Sequence, residues 1–150
     1  MLSDTKSIED KMLDVLRNSS ELVDFEGVYI KGGISAAIKQ FPFVALGNMR
    51  YREGVLKDAG GTLIYAVSIY VGARNMVSGR AFNDSEQGKG VGNICSAVVR
   101  TIKNSDFEKI FIKPVKNIKI DPIYMVDGSG MICIGEVSFE AEVWYHNERI

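Results

Sequence analysis

The sequence predicts an α+β fold, a mainly antiparallel β-sheet with two amphipathic helices packed on one face. Three observations lead there. From Gly130 to Tyr145 the chain alternates, with Met131, Cys133, Val137, Phe139, Ala141, Val143 and Tyr145 on one side and Glu136, Ser138, Glu140 and Glu142 on the other. That is the period of a half-buried strand, because successive strand side chains project to opposite faces. Val91, Ile94, Cys95, Val98 and Ile102 fall on an i, i+3, i+4, i+7 stripe, the apolar face of a helix. Elsewhere strand-like segments follow one another instead of alternating with helices, which disfavours a doubly wound parallel sheet.

In chain order, Ser7 can cap a first helix whose first turn carries Glu9 and Asp10. Acids there complement the positive end of the helix dipole. Its stripe is Ile8, Met12, Val15 and Leu16, and it ends near Asn18. Phe25 to Lys31 reads as a short strand closed by a turn at Gly32-Gly33. Phe41-Pro42-Phe43-Val44-Ala45-Leu46 reads as a strand beginning at Pro42. Proline removes a ladder donor, so the run belongs at a sheet edge or a strand's first residue. Asn48 to Gly61 turns polar and suggests a long hairpin arm. Leu63, Tyr65, Val67, Ile69 and Val71 alternate with the fairly apolar Ile64, Ala66, Ser68 and Tyr70, the pattern of a central strand covered on both sides. Gly72 to Gly88 is loop-like and leads into the Val91 helix. Phe107 to Lys113 and Val115 to Ile120 are weaker segments, each followed by a proline, of which the second is the candidate strand. Asp127-Gly128-Ser129-Gly130 is a turn that launches the long final strand.

At 150 residues and 46% hydrophobic, the chain is expected to form one domain, residues 1–150, around one core. A net charge of −1 lacks the basic excess with which nucleic-acid binders displace counterions. No apolar run approaches the roughly 20 residues that span a bilayer, and the N-terminus has no apolar signal core. A protein made in the cytosol, without a membrane, is the expectation. Cys95 and Cys133 lie in apolar periodic segments and read as buried free thiols. With one histidine, His146, and no CxxC, no zinc site is expected.

No motif points to catalysis, and neither enzyme activity nor a cofactor is expected. Gly88-Lys89-Gly90-Val91-Gly92-Asn93 opens a helix in the manner of a phosphate cradle. It matches neither the P-loop nor the dinucleotide fingerprint and follows a polar stretch, so it reads as a flexible loop entering a helix. His146, placed past the last strand, reads as a surface residue. Glu136, Glu140 and Glu142 at even spacing read as an acidic sheet face, because acid–base work needs environments that separate two pKa values. Arg50, Tyr51, Arg52 and Lys57, with Arg74 and Arg80 in the next polar loop, are candidate partner-contact residues.

The amphipathic start Ile8 to Leu16, the Phe41-to-Leu46 strand, the Leu63-to-Val71 strand after a polar arm, the Val91-to-Ile102 helix and the Ile134-to-Tyr145 strand occur in an order and spacing that resembles the tail terminator and head-to-tail joining proteins of long-tailed bacteriophages. The resemblance covers most of the chain. It implies an α+β structural subunit that assembles with itself into a ring, by family a hexamer. Such a ring caps the tail tube protein, stops its polymerisation and meets the head connector or neck protein, with DNA only in passage. It implies a place in the virion. Two alternatives stay open: another neck, head-completion, tube or baseplate protein, and a small anion- or nucleotide-binding module using Lys89.

Overall fold

The computed structural model describes residues 5–37, 42–57, 60–72, 90–127 and 130–146; side chains are described outside 55–60, 126–133 and 145–146. Helix α1 (Thr5–Arg17) leads through a 3-10 turn at Ser20–Leu22 to strand β1 (Val28–Lys31), short helix α2 (Gly33–Ala37) and strands β2 (Phe43–Leu46), β3 (Arg50–Lys57) and β4 (Gly60–Gly72). Then come α3 (Val91–Ile102), α4 (Ser105–Glu108), β5 (Lys116–Asp127) and β6 (Gly130–His146).

The strands form one six-stranded sheet in the order β1-β2-β4-β6-β5, with β3 also on β4. β1 runs parallel to β2 and the other described pairs are antiparallel, so the α+β class holds with one parallel pair added. β2 and β3 lie end to end along the same side of β4. Phe43 to Leu46 pair with Gly72 to Ile69, and Arg50 to Lys57 pair with Ala66 to Gly60. β4 and β6 keep register from Gly60 opposite His146 to Gly72 opposite Ile134.

Period-two alternation sorts these two strands into layers. Val67, Ile69 and Val71 of β4 and Val137, Phe139, Ala141 and Val143 of β6 join the main core. α1 enters that core through Ile8, Met12, Leu13 and Leu16, and α3 through Val91, Ile94, Cys95, Val98 and Ile102. Both long helices therefore share one face of the sheet. A smaller cluster of Ala37, Phe43, Ala45 and Ile134 lies on the opposite face, beneath α2.

Several expectations need correction. α1 is already helical at Thr5, so Ser7 lies within its first turns rather than capping it. Its buried stripe includes Leu13, while Val15 is half-buried. β2 starts one residue after Pro42 and is flanked on both sides. An edge position is therefore not taken: Pro42 sits outside the ladder, where its carbonyl accepts from Val28 N at 3.0 Å. The polar arm is a strand, β3, whose described residues stay exposed because, among the described residues, it has a strand neighbour only in β4. The Val115-to-Ile120 segment continues through Pro122 to Asp127. Proline is tolerated there because β5 is the last strand of the sheet and its missing N–H can face outward. His146 is the final residue of β6, not beyond it.

Two short helices carry too few residues for a periodic signal. α2 begins at Gly33, directly after Gly32; the φ of 101° at Gly32 and 69° at Gly33 are what the Gly32-Gly33 turn requires. α4 is capped by Asn104, whose Oδ1 accepts from Asp106 N at 2.9 Å. Asp127 and Gly130 pair as the ends of the β5–β6 hairpin, where the turn was expected. Cys95 is a buried thiol, not part of a disulfide. The Cys133 side chain and most of the Gly72-to-Gly88 loop lie outside the described residues.

Candidate interaction surface

The sheet face turned away from α1 and α3 carries the acidic row. In β6 the exposed alternation places Glu136, Ser138 and Glu140 beside Tyr70, Ser68 and Ala66 of β4. On the far side they meet Asp121, Lys119 and Lys116 of β5. Arg50 of β3 is opposite Ala66 and shares its face, which sets up an arginine, alanine, glutamate line across three strands.

Each glutamate in the row has a partner. A register shift between Tyr51 and Glu53 leaves Arg52 on a bulge, and Arg52 Nη1 lies 3.4 Å from Glu140 Oε1. Ser68 Oγ donates to Glu136 Oε2 at 2.9 Å. Glu142 Oε2 is 3.9 Å from Lys113 Nζ. Glu140 and Glu142 are thus paired with cations, while Glu136 is held by a neutral hydroxyl and keeps its charge. Exposed pairs of this kind each contribute only ~0.2–1 kcal/mol, so they shape recognition more than stability.

Tyr70 closes one end of this strip. Its ring fits against Gly47, where an added Cβ would lie 3.1 Å from Tyr70 Cε2. Burial raises its phenol above 10.0, with hydrogen bonding to Ser68 opposing the shift and the Glu136 carboxylate adding to it. A tyrosine, a serine and a carboxylate meet here with no histidine among them. That set orders side chains and lacks the base-and-orienter relation of a nucleophilic triad.

The basic patch divides between faces. Arg50 and Arg52 belong to the glutamate side, whereas Tyr51 stacks edge-on against Tyr65, centroids 6.1 Å apart, and Tyr65 packs on the helix-side core. Tyr51 remains 59% exposed. Lys57 ends β3 opposite Gly60, its side chain outside the described residues, as are Arg74, Arg80, Gly88 and Lys89. Gly90, in extended conformation, is the residue before α3.

Two clefts escaped the sequence reading because each is built from separated segments. One, of about 610 Å³, lies between α1 and the α3–α4 corner and is lined by Lys11, Asp14, Ser19, Thr101, Asn104 and Lys109 among others. At its side Ser19 Oγ and Thr101 Oγ1 are hydrogen bonded at 2.7 Å. The other, of about 780 Å³, is lined by Leu22, Val23, Phe25, Val28 and Tyr29 together with the polar Arg17, Asn18, Ser19 and Ser20. Among the described residues no His/Cys/Asp/Glu group is arranged to hold a metal ion, and no helix is long and apolar enough to cross a membrane.

No family model matches this chain, and no curated protein matches it. The functional reading therefore rests on the surface itself and on the resemblance in element order.

Proposed function

We propose that the chain is a structural subunit of virion assembly of the tail-terminator kind: it associates with itself into a ring, caps the phage tail tube, stops tube growth and joins the head connector. The observation that carries the reading is the asymmetry of the sheet's two sides. One side presents β1 and β3, the other β5. A subunit with two unlike lateral surfaces is what head-to-tail contacts need, and such contacts close into a ring when the rotation between neighbours closes.

Two further features support it. Among the described residues, β6 pairs with β5 alone from Gly130 to Cys133, beyond Gly72 of β4, which makes the β5–β6 hairpin the candidate contact arm. The glutamate row, partnered by Arg52, Ser68 and Lys113, lacks the cationic excess that grips phosphates, which suits a passage for DNA.

Light scattering across a tenfold concentration range, followed by a tube-extension assay with the tube protein, tests the proposal. The expected result is a discrete ring-sized species, or a monomer that assembles as concentration rises, that blocks extension. A strict monomer without effect on extension overturns it. Binding to the head-side connector but not to the tube assigns the chain instead to neck or head completion.

A further inference from the structure

Residues 18–30 hold Glu21, Asp24 and Glu26 and no cation, while residues 109–120 hold Lys109, Lys113, Lys116 and Lys119 and no acid. The fold sends these two stretches to opposite ends of the sheet. The first runs into β1 and the second into β5, and the strand order β1-β2-β4-β6-β5 sets those strands about 19 Å apart, four strand spacings. The subunit is thus polarised, acidic at one edge and basic at the other, behind a net charge of only −1.

Most of this charge is uncommitted. Glu21 is held by Arg100 at 2.7 Å, and Lys113 lies 3.9 Å from Glu142. Among the described residues, Asp24, Glu26, Lys109, Lys116 and Lys119 are exposed and make no ion pair. A bulge in β5 sharpens the basic edge. Lys116 and Lys119 are three apart, yet they stand opposite Glu140 and Ser138, two apart on β6. The register shift, with Asn117 at φ 57°, absorbs one residue and turns both lysines to the same face.

Apolar surface accompanies the charge at both edges. Of the six large apolar side chains exposed among the described residues, Val23 (76%) and Val28 (39%) belong to the acidic edge, and Ile120 (36%) and Tyr124 (48%) to the basic one. Apolar residues rimmed by polar ones mark a protein contact. Pro122 and the bulge keep β5 from adding a strand, so its contact is made by side chains.

We propose that the β5 edge of one copy docks on the β1 edge of the next, with Lys116 and Lys119 facing Asp24 and Glu26 around a centre of Ile120 and Tyr124 against Val23 and Val28. The contact is the head-to-tail junction of the proposed ring, and it rests on that reading. The signs of the charges decide the pairing. Two β1 edges would set acids on acids and two β5 edges lysines on lysines, so only unlike edges attract. A nucleic acid would engage the lysines alone, since its phosphates are repelled by the acidic edge. A second copy uses both.

Charge reversal tests the junction. Asp24→Lys with Glu26→Lys makes both edges basic, and Lys116→Glu with Lys119→Glu makes both acidic. Each double variant, with an unchanged circular dichroism spectrum, should stay monomeric by light scattering where the unmodified chain assembles, its association weaker by on the order of tenfold or more. An equimolar mixture of the two should assemble again, because every junction then joins a basic edge to an acidic one. If a variant does not fold, the unmodified chain carries the test: its association should weaken on the order of tenfold between about 0.05 and 0.5 M salt, as screening tightens. Assembly that survives either reversal, a mixture that stays monomeric, or association indifferent to salt overturns the contact. Ring-sized oligomers that persist in both variants refute this contact and leave the ring reading standing. Charge-dependent chains of no fixed size support the contact and refute the ring, and an unmodified chain monomeric throughout refutes both.

Discussion

Phe107→Ala should be among the most destabilising single substitutions in the chain. Phe107 is fully buried in the four-residue helix α4, far too short to be helical by itself. Its ring is 5.7 Å from that of Phe111 and 5.8 Å from that of Phe139 in β6, the latter edge-on at 75°. Phe107 is therefore the bolt between α4 and the central sheet. Truncating a buried phenylalanine costs ~3–5 kcal/mol in transfer and cavity terms, and we expect about 4 here, because the corner is held by a single turn with few other anchors. For a chain of this size that lowers the melting temperature by roughly 8–16 °C, a large part of a typical stability of ~5–15 kcal/mol. Urea unfolding followed by circular dichroism measures the change, with Phe139→Leu and the double variant completing a cycle. The coupling should be about 0.5–1.5 kcal/mol, the range for an aromatic pair. A loss below about 1 kcal/mol, or full additivity with Phe139→Leu, would refute the role given to the Phe107–Phe139 contact.

Gly72→Ala should lower stability by about 1–3 kcal/mol in the same assay, since the added Cβ would fall 2.3 Å from Cε2 of Phe43, a fully buried ring that cannot swing away. Asp10→Asn should remove a small acid-side dependence. The hydrogen bond from Lys31 holds Asp10 below its ordinary 3.8, so its contribution is present above that value and fades as pH falls through the lowered one. Urea midpoints taken from about pH 6 down to 3 should converge for the two proteins at the acid end, and parallel curves would refute the linkage. Tyr70→Phe should flatten the alkaline limb. Burial raises the phenol above 10.0, so the folded state keeps a proton that the unfolded chain releases, and stability falls as pH rises from 10.0 through the raised value. Tyr29 and Tyr65 are raised by burial as well, so the limb should shrink and not vanish.

The elements legible in the sequence are those whose own period reports their burial. Val91 to Ile102 is a helix with the boundaries its stripe implies, and β6 buries Val137, Phe139, Ala141 and Val143 as its alternation requires. The errors lie where the local signal is shared with another state. Val115 to Ile120 looked like a strand ended by Pro122, and the strand continues to Asp127 because an edge position relieves proline of its ladder bond. The polar residues of β3 looked like an arm because half of a strand's outward face, when it is an edge, is indistinguishable from a loop in composition. At the candidate surface the glutamate row was visible in the alternation, while its side-chain partners were not. That depends on a bulge at Arg52 in β3 and on Ser68 and Lys113, residues far from the row in sequence.

The chain's local physics thus determined the two amphipathic helices, the long final strand, the turn at Gly32-Gly33, the hairpin turn at Asp127 to Gly130, and the one-sided placement of α1 and α3, since each follows from glycine's backbone freedom or from which side chains a helix or strand turns toward water. Tertiary structure alone decided that β1 runs parallel to β2, that β2 and β3 share one side of β4, and which strands were left at the edges. Those choices depend on contacts between residues far apart in sequence, where periodicity states how much surface an element must bury but not against which partner.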